Sequence, residues 1–285
     1  MKTMTMDPLV RLAAVYGMDV DARSALWQLE ALAKSERLGV AGRFMPDPGI
    51  SLRLAKAGVT EEVEEADFYR FQKVVVPFCG ISPVKRREWE KAGVRLVDLT
   101  SPQVRRAQVA LGLLRMDGAQ PLVIGRHGDP ESKGLAGGHT GTRILEDTTD
   151  TARLPFSPGF GVVCQTTLSP PKVSWLVQQL RHRYNDAKVT FLDTLSPAMA
   201  ARDRALEKLI ADSDRVIIVG EAGEASCEAL AETALRKGKP AEIVGSASQA
   251  ETLRPGDHGR IALTAGAYAL DETIRAVADV LGDIR

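Results

Sequence analysis

Apolar and polar residues along this chain fall into two alternating rhythms. Short runs rich in β-branched residues predict strands at residues 9–15, 74–77, 94–97, 122–125, 161–164, 189–192, 215–219, 241–244 and 260–264. Between them, apolar positions recur at helical spacing. Ala25, Leu26, Leu29 and Leu32 line one helix face, and Val109, Leu111, Leu113 and Leu114 mark another. Later helices are predicted over 172–184, 200–211, 224–237 and 271–281. Strand–helix alternation of this kind predicts an α/β protein, with parallel sheets and helices on their faces.

Four Ser-Pro pairs punctuate the pattern, each after a predicted strand: Ser82-Pro83, Ser101-Pro102, Ser169-Pro170 and Ser196-Pro197. Serine accepts from the first free amides of a helix, and proline at the first helical position loses no hydrogen bond. Each pair therefore predicts a capped helix starting at the carboxyl end of a strand, where α/β sheets hold ligands. Two pairs close a longer internal match. VRLVDLTSP (94–102) and VTFLDTLSP (189–197) share apolar positions, Asp98 or Asp193, and the final Ser-Pro, which suggests repeated α/β units.

Composition then narrows the partners. Among 285 residues, Lys+Arg and Asp+Glu both number 37, so the net charge is zero and nothing favours nucleic acid or an anionic membrane. No run is long and apolar enough to cross a bilayer. The opening MKTMTMDPLVRLAAVYG lacks a signal-peptide pattern, because Asp7 and Arg11 interrupt it. Cys79, Cys164 and Cys227, odd in number and widely spaced, suit free thiols in a reducing compartment. The expectation is a cytoplasmic protein with a small-molecule ligand, no nucleic acid and no membrane. Its oligomeric state is left open.

Several segments resemble, in order, the motifs of the LytB/IspH family of 4-hydroxy-3-methylbut-2-enyl diphosphate reductases. They are KVVVPFCGISPVKRREWEKAGVRLVDLTSP, QPLVIGRHGDPESKG, VVCQTTLSPPKVSWLVQQLRHRY, RVIIVGEAGEASCEALAETALRKGKPAEIV and IALTAGAYAL. ARSALWQLEALA and SLRLAKAGV fall in the matching places nearer the N-terminus. The resemblance implies three small αβα units around a central pocket, with lobes over 15–98, over 99–192, and over 1–14 plus 193–285.

The departures from the family pattern shape the functional expectation. The family holds a 4Fe–4S cluster on three cysteines, and the resemblance puts Met18, Ser101 and Ser196 at those positions. Three histidines of its diphosphate clamp correspond to Pro46, Cys79 and Asp129. Glu221 and Glu224 enter the Ser/Asn-rich loop, and Tyr268 replaces the serine of the Thr-Ala-Gly-Ala-Ser motif. Glu131 keeps the proton-donor position, and Thr166 and Thr167 keep the pair that touches substrate.

These readings lead to an expected cluster-free enzyme of lyase, isomerase or transferase type, without cofactor, acting on a small polar, zwitterionic metabolite. Glu131 is the expected acid/base group and Thr166 its helper. Cys79 is a candidate nucleophile beside a helix start, with His127 as its base, or else a packing residue. Thr167, Asp129, Arg126, His127, Arg43, Glu224, Ser226 and Tyr268 are the expected binding residues. A metal site from Cys79, His127 and Asp129 lacks any supporting spacing. The glycine run LAGGHTG is no P-loop, and Trp27 and Trp175 are expected to pack. A non-catalytic ligand-binding protein is the alternative. An iron–sulfur diphosphate reductase of isoprenoid synthesis ranks last.

Overall fold

The computed structural model describes residues 10–253 and 259–282. Asp7 and the start of the first predicted strand lie outside the described residues. In chain order the strands are β1 (Val10–Leu12), β2 (Leu38–Val40), β3 (Lys73–Val76), β4 (Leu96–Asp98), β5 (Gln120–Ile124) and β6 (Arg143–Leu145). They continue with β7 (Gly159–Cys164), β8 (Lys188–Phe191), β9 (Arg215–Val219), β10 (Ala241–Val244) and β11 (Ile261–Ala265). The first helices are α1 (Val20–Ala33), α2 (Pro48–Lys56), α3 (Pro83–Lys91), α4 (Pro102–Met116), α5 (Pro130–Ala136) and α6 (Thr148–Ala152). The later ones are α7 (Pro170–Arg183), α8 (Pro197–Ile210), α9 (Ala225–Arg236), α10 (Ala247–Glu251) and α11 (Asp271–Leu281).

All pairings between these strands are parallel, and they make three separate sheets ordered β1-β11-β9-β10, β2-β3-β4 and β6-β5-β7-β8. The α/β, three-lobed expectation is met. The chain divides into two compact units, the first from residues 1–19, 46–49 and 197–285, the second from 20–45 and 50–196.

In the first unit, β9 reads RVIIV and is buried throughout, as a strand covered on both faces must be. Its side chains alternate between two cores. Ile217 and Val219 pack with Ile274, Val277 and Leu281 of α11, whereas Val216 and Ile218 pack with Leu206 of α8 and Leu230 of α9. β7 does the same in the second unit. Phe160, Val162 and Cys164 face Val173 and Leu176 of α7, while Val163 faces Leu111 and Leu114 of α4. The smaller β2-β3-β4 sheet rests on a cluster around Val74, in which Phe68 and Trp89 meet edge to face at 4.9 Å.

The Ser-Pro helix starts all exist, but their hydroxyls behave differently. Ser82 Oγ accepts from Lys85 N at 3.1 Å and Ser101 Oγ from Gln103 N at 3.2 Å, whereas Ser169 makes no side-chain cap. The internal match is mirrored in geometry: Asp98 Oδ1 accepts from Thr100 N and Asp193 Oδ1 from Leu195 N, the same Asx turn leading out of β4 and β8. Trp27 and Trp175 depart from expectation. Both stand at the surface, Trp27 with 58% of its area exposed, because each lies on the outer side of its helix. No described helix is long and apolar enough to cross a membrane.

Candidate functional site

The second unit gathers its polar residues where β5 and β7 end. The chain leaves β5 through Gly125-Arg126-His127-Gly128 and enters α5, whose first turn is Asp129-Pro130-Glu131. Asp129 caps that helix by accepting from Glu131 N at 2.8 Å. This turns the Glu131 side chain inward, where it is only 3% exposed. Oε1 accepts from Thr166 N at 2.6 Å, and Oε2 accepts from the Thr166 hydroxyl at 3.0 Å. A buried carboxylate is costly unless bonded, and these two bonds come from the loop leaving β7.

A residue that the sequence reading did not single out holds the two loops together. Gln165, 1% exposed, accepts on Oε1 from Arg126 N and from the Ser132 hydroxyl, and donates from Nε2 to Thr167 Oγ1 at 3.2 Å. Its place inside the QTT segment was the available signal.

Cys79 lies partly buried at the end of β3, within electrostatic reach of Glu131 and Asp129. Burial, reinforced by those carboxylates, pushes its thiol up to about 12. A helix start would pull the thiol down, and burial with the two carboxylates acts against that pull. His127 is exposed, and its Nε2 meets Asp150 Oδ2 at 2.9 Å. Arg43 Nε contacts Ser51 Oγ at 3.4 Å, on the lobe built from β2, β3 and β4. Ser196 stays with the β7 loop, donating its backbone N–H to Thr166 O.

The first unit holds a second polar cluster at the start of α9. Glu224 is the N-cap and is buried. Its Oε1 accepts from Ser226 N at 2.9 Å, and Oε2 accepts from Cys227 N at 3.0 Å and from the Ser226 hydroxyl. Ser226 Oγ accepts in turn from Ala267 N at 2.7 Å. Burial raises the Glu224 carboxyl above its ordinary range, against the pull of these bonds. Burial also raises the Cys227 thiol, helped by Glu224, Glu228 and Asp47.

Arg202, unmarked in the sequence because ARDRALEKL reads as a solvated helix, is 2% exposed. Its Nε donates to Gly17 O at 3.0 Å and Nη2 donates to the same oxygen. Gly17 has a φ of +66°, and a Cβ there would meet Ile274. The clasp thus fixes the turn that carries Met18. Asp19, Tyr268 and Glu224 lie within electrostatic reach of the guanidinium.

Parallel sheets covered by helices, with buried carboxylates at helix starts beyond the strand ends, define a layered α/β protein, and strand ends of this kind are where such folds hold ligands. The particular family follows from comparison. The family model described as "LytB protein" matches residues 11–282, and the chain belongs to that family. A 4-hydroxy-3-methylbut-2-enyl diphosphate reductase of Treponema denticola is 29% identical over 285 aligned positions, 94% of this chain and 97% of the relative. The corresponding protein of Chromohalobacter salexigens is 30% identical, over 85% of this chain and 77% of its own. The solved E-1-hydroxy-2-methyl-but-2-enyl-4-diphosphate reductase of Plasmodium falciparum matches with a TM-score of 0.90 at 19% identity, covering 98% and 91% of the two chains, which shows a shared fold.

These relatives correct three expectations. They are named as reductases, over almost the whole chain, so they point to redox chemistry. The lyase, isomerase or transferase reading falls with that, as does the ranking that put the reductase last. The expectation of a chain without cofactor falls for the same reason.

The side chains themselves can be tested against the family's 4Fe–4S cluster, which is held by thiolates. Cys164 belongs to the β7–α7 core, with Sγ 3.5 Å from Thr194 Oγ1 and its thiol pushed by burial to about 12. Cys227 belongs to the β9–α9 core. Ser101 spends its hydroxyl on capping α4. Among the described residues, no three His, Cys, Asp or Glu side chains are grouped to hold a metal ion. The described residues do not fit that cluster.

Proposed function

We propose that this chain is a reductase of an allylic alcohol, of the class to which its relatives' substrate, 4-hydroxy-3-methylbut-2-enyl diphosphate, belongs. The observation that carries the reading is the buried Glu131–Thr166 pair in a chain of this family. Reductive loss of an allylic hydroxyl consumes two electrons from a donor and two protons, and releases the oxygen as water. The chain's own residues serve the proton side. Glu131 is the proton store, and the Thr166 hydroxyl, 3.0 Å from Oε2, passes a proton towards the departing oxygen. Thr167, fixed by Gln165, and Arg126, at the start of the α5 loop, orient the substrate. The reading places the enzyme in the cytoplasm, where three free cysteines stay reduced.

The test is anaerobic turnover of 4-hydroxy-3-methylbut-2-enyl diphosphate and of its free alcohol, with reduced methyl viologen as electron donor. The expected result is substrate-dependent bleaching that Glu131→Gln removes. Absence of such bleaching with both compounds overturns the reading.

A further inference from the structure

The loop LAGGHTG, which is no P-loop, lies at the other end of its sheet from Glu131. α5 starts beyond the carboxyl end of β5, and the loop that follows it returns to the amino end. There Gln120, the first residue of β5, donates from Nε2 to Gly141 O at 2.6 Å. Arg115, in the last turn of α4, donates from Nη1 to Thr140 O at 3.3 Å. The loop also rests against the start of α3, since a Cβ on Gly138 would stand 3.3 Å from Pro83 Cδ. Two helices of the second unit therefore frame it.

His139, in the middle of the loop, is half-buried over α4, where a Cβ on Gly112 would stand 3.5 Å from its Nε2. The two framing helices each bring a guanidinium. Arg115 lies one turn on from Gly112, and Arg87 lies one turn on from Pro83. Burial, then the positive charges of Arg115 and Arg87, hold the imidazole below the ordinary histidine range. Arg87 is exposed, and among the described residues it has no hydrogen-bond or ion-pair partner. Basic side chains gathered from three elements repel one another, and an oxyanion between them relieves that repulsion. Guanidinium forks match phosphate oxygens in geometry as well as in charge.

We propose that Arg87, Arg115 and His139 form a binding site for a small phosphate-type oxyanion, at the opposite end of the β6-β5-β7-β8 sheet from Glu131. The site is read without turnover and stands apart from the reductase reading.

The experiment titrates inorganic phosphate into the full chain, with ionic strength held constant by sodium chloride, and follows it by NMR. The His139 imidazole proton is observed against pH, and the Thr140 and Gly141 amides at fixed pH. Phosphate is expected to raise the His139 midpoint by about one pH unit and to shift both amides. Arg87→Gln removes a guanidinium that holds nothing else in place, so the fold is kept. It is expected to weaken phosphate binding roughly tenfold, the loss of one charge-assisted hydrogen bond. An unmoved His139 overturns the proposal, whether or not phosphate binds elsewhere on the chain. So does chloride moving His139 as far as phosphate does, or equal phosphate affinity in Arg87→Gln.

Discussion

Glu131 and Glu224 are both buried, both sit at the start of a helix beyond a parallel strand, and both bind a hydroxyl and backbone amides. They differ in where those partners come from. Glu131 reaches out of its own helix to Thr166, thirty-five residues on, so its carboxylate joins two loops. Glu224 is satisfied chiefly by the next residues of its own helix, with Ala267 added through Ser226. A carboxylate held by a neighbouring loop stays linked to whatever that loop binds. One held by its own helix fastens that helix start, so the same side chain ties two loops in one unit and secures a single turn in the other.

The contrast is broken most directly by activity. Glu131→Gln is expected to lower turnover by roughly 100-fold or more, the ordinary contribution of a positioned acid. Retention of full turnover in that variant would remove the functional half of the comparison.

Removing the two hydroxyls should also separate the sites, now in stability. Ser226→Ala strips a donor from Glu224 and an acceptor from Ala267 N, and is expected to cost about 2–3 kcal/mol. Thr166→Val leaves the Thr166 backbone bond to Glu131 in place and is expected to cost about 1–2 kcal/mol. Urea denaturation midpoints at constant m-value give both numbers, and the reverse order would contradict the assignment of partners.

The pH dependence sharpens the contrast from the Glu224 side. Burial raises Glu224 above 4.5, so the folded chain holds that proton more tightly than the unfolded chain. Stability from this group is therefore full at low pH and is lost as pH rises from 4.5 through the raised value. Asp203, raised by its own burial, acts in the same direction. Glu224→Gln should flatten the decline, leaving the part that Asp203 contributes. An unchanged slope in Glu224→Gln would show that the carboxyl is not strained by burial.

The smallest effect concerns the Ser-Pro starts. Ser101→Ala should cost about 1 kcal/mol, the usual value of a lost cap. Ser169→Ala should cost close to nothing, because its buried Oγ has no hydrogen-bond partner to lose. Thermal melts of the two variants side by side decide it.

The sequence was most informative where periodicity runs long. RVIIV, buried end to end in β9, and the Ala25-Leu26-Leu29 stripe of α1 were both legible because a repeated apolar pattern has one good solution. β2 and β6 were missed, since a glycine splits LGV and a charge opens RIL, so neither shows an apolar run. Glu131 with Thr166 was foreseeable only through family resemblance. Nothing in the spacing of two residues thirty-five apart announces a hydrogen bond. For Cys79 the helix start was legible and the opposing burial was not, because burial cannot be read from FCGIS. Arg202 was invisible because a charged residue on an amphipathic helix looks solvated until its neighbours are known.

The pairing of β1 with β11, Val10 against Ile261, has a consequence for synthesis. Every strand of the second unit lies between Leu38 and Phe191, so its two sheets are complete once that stretch has left the ribosome. The first unit's sheet must wait for β9, β10 and β11, while β1, made earliest, stays without its neighbour. Long-range parallel pairing of this kind is slow, and an early strand left unpaired is open to wrong partners. The second unit is thus expected to fold before the first, so a chain stalled ahead of β9 would expose β1 rather than the Glu131 loops.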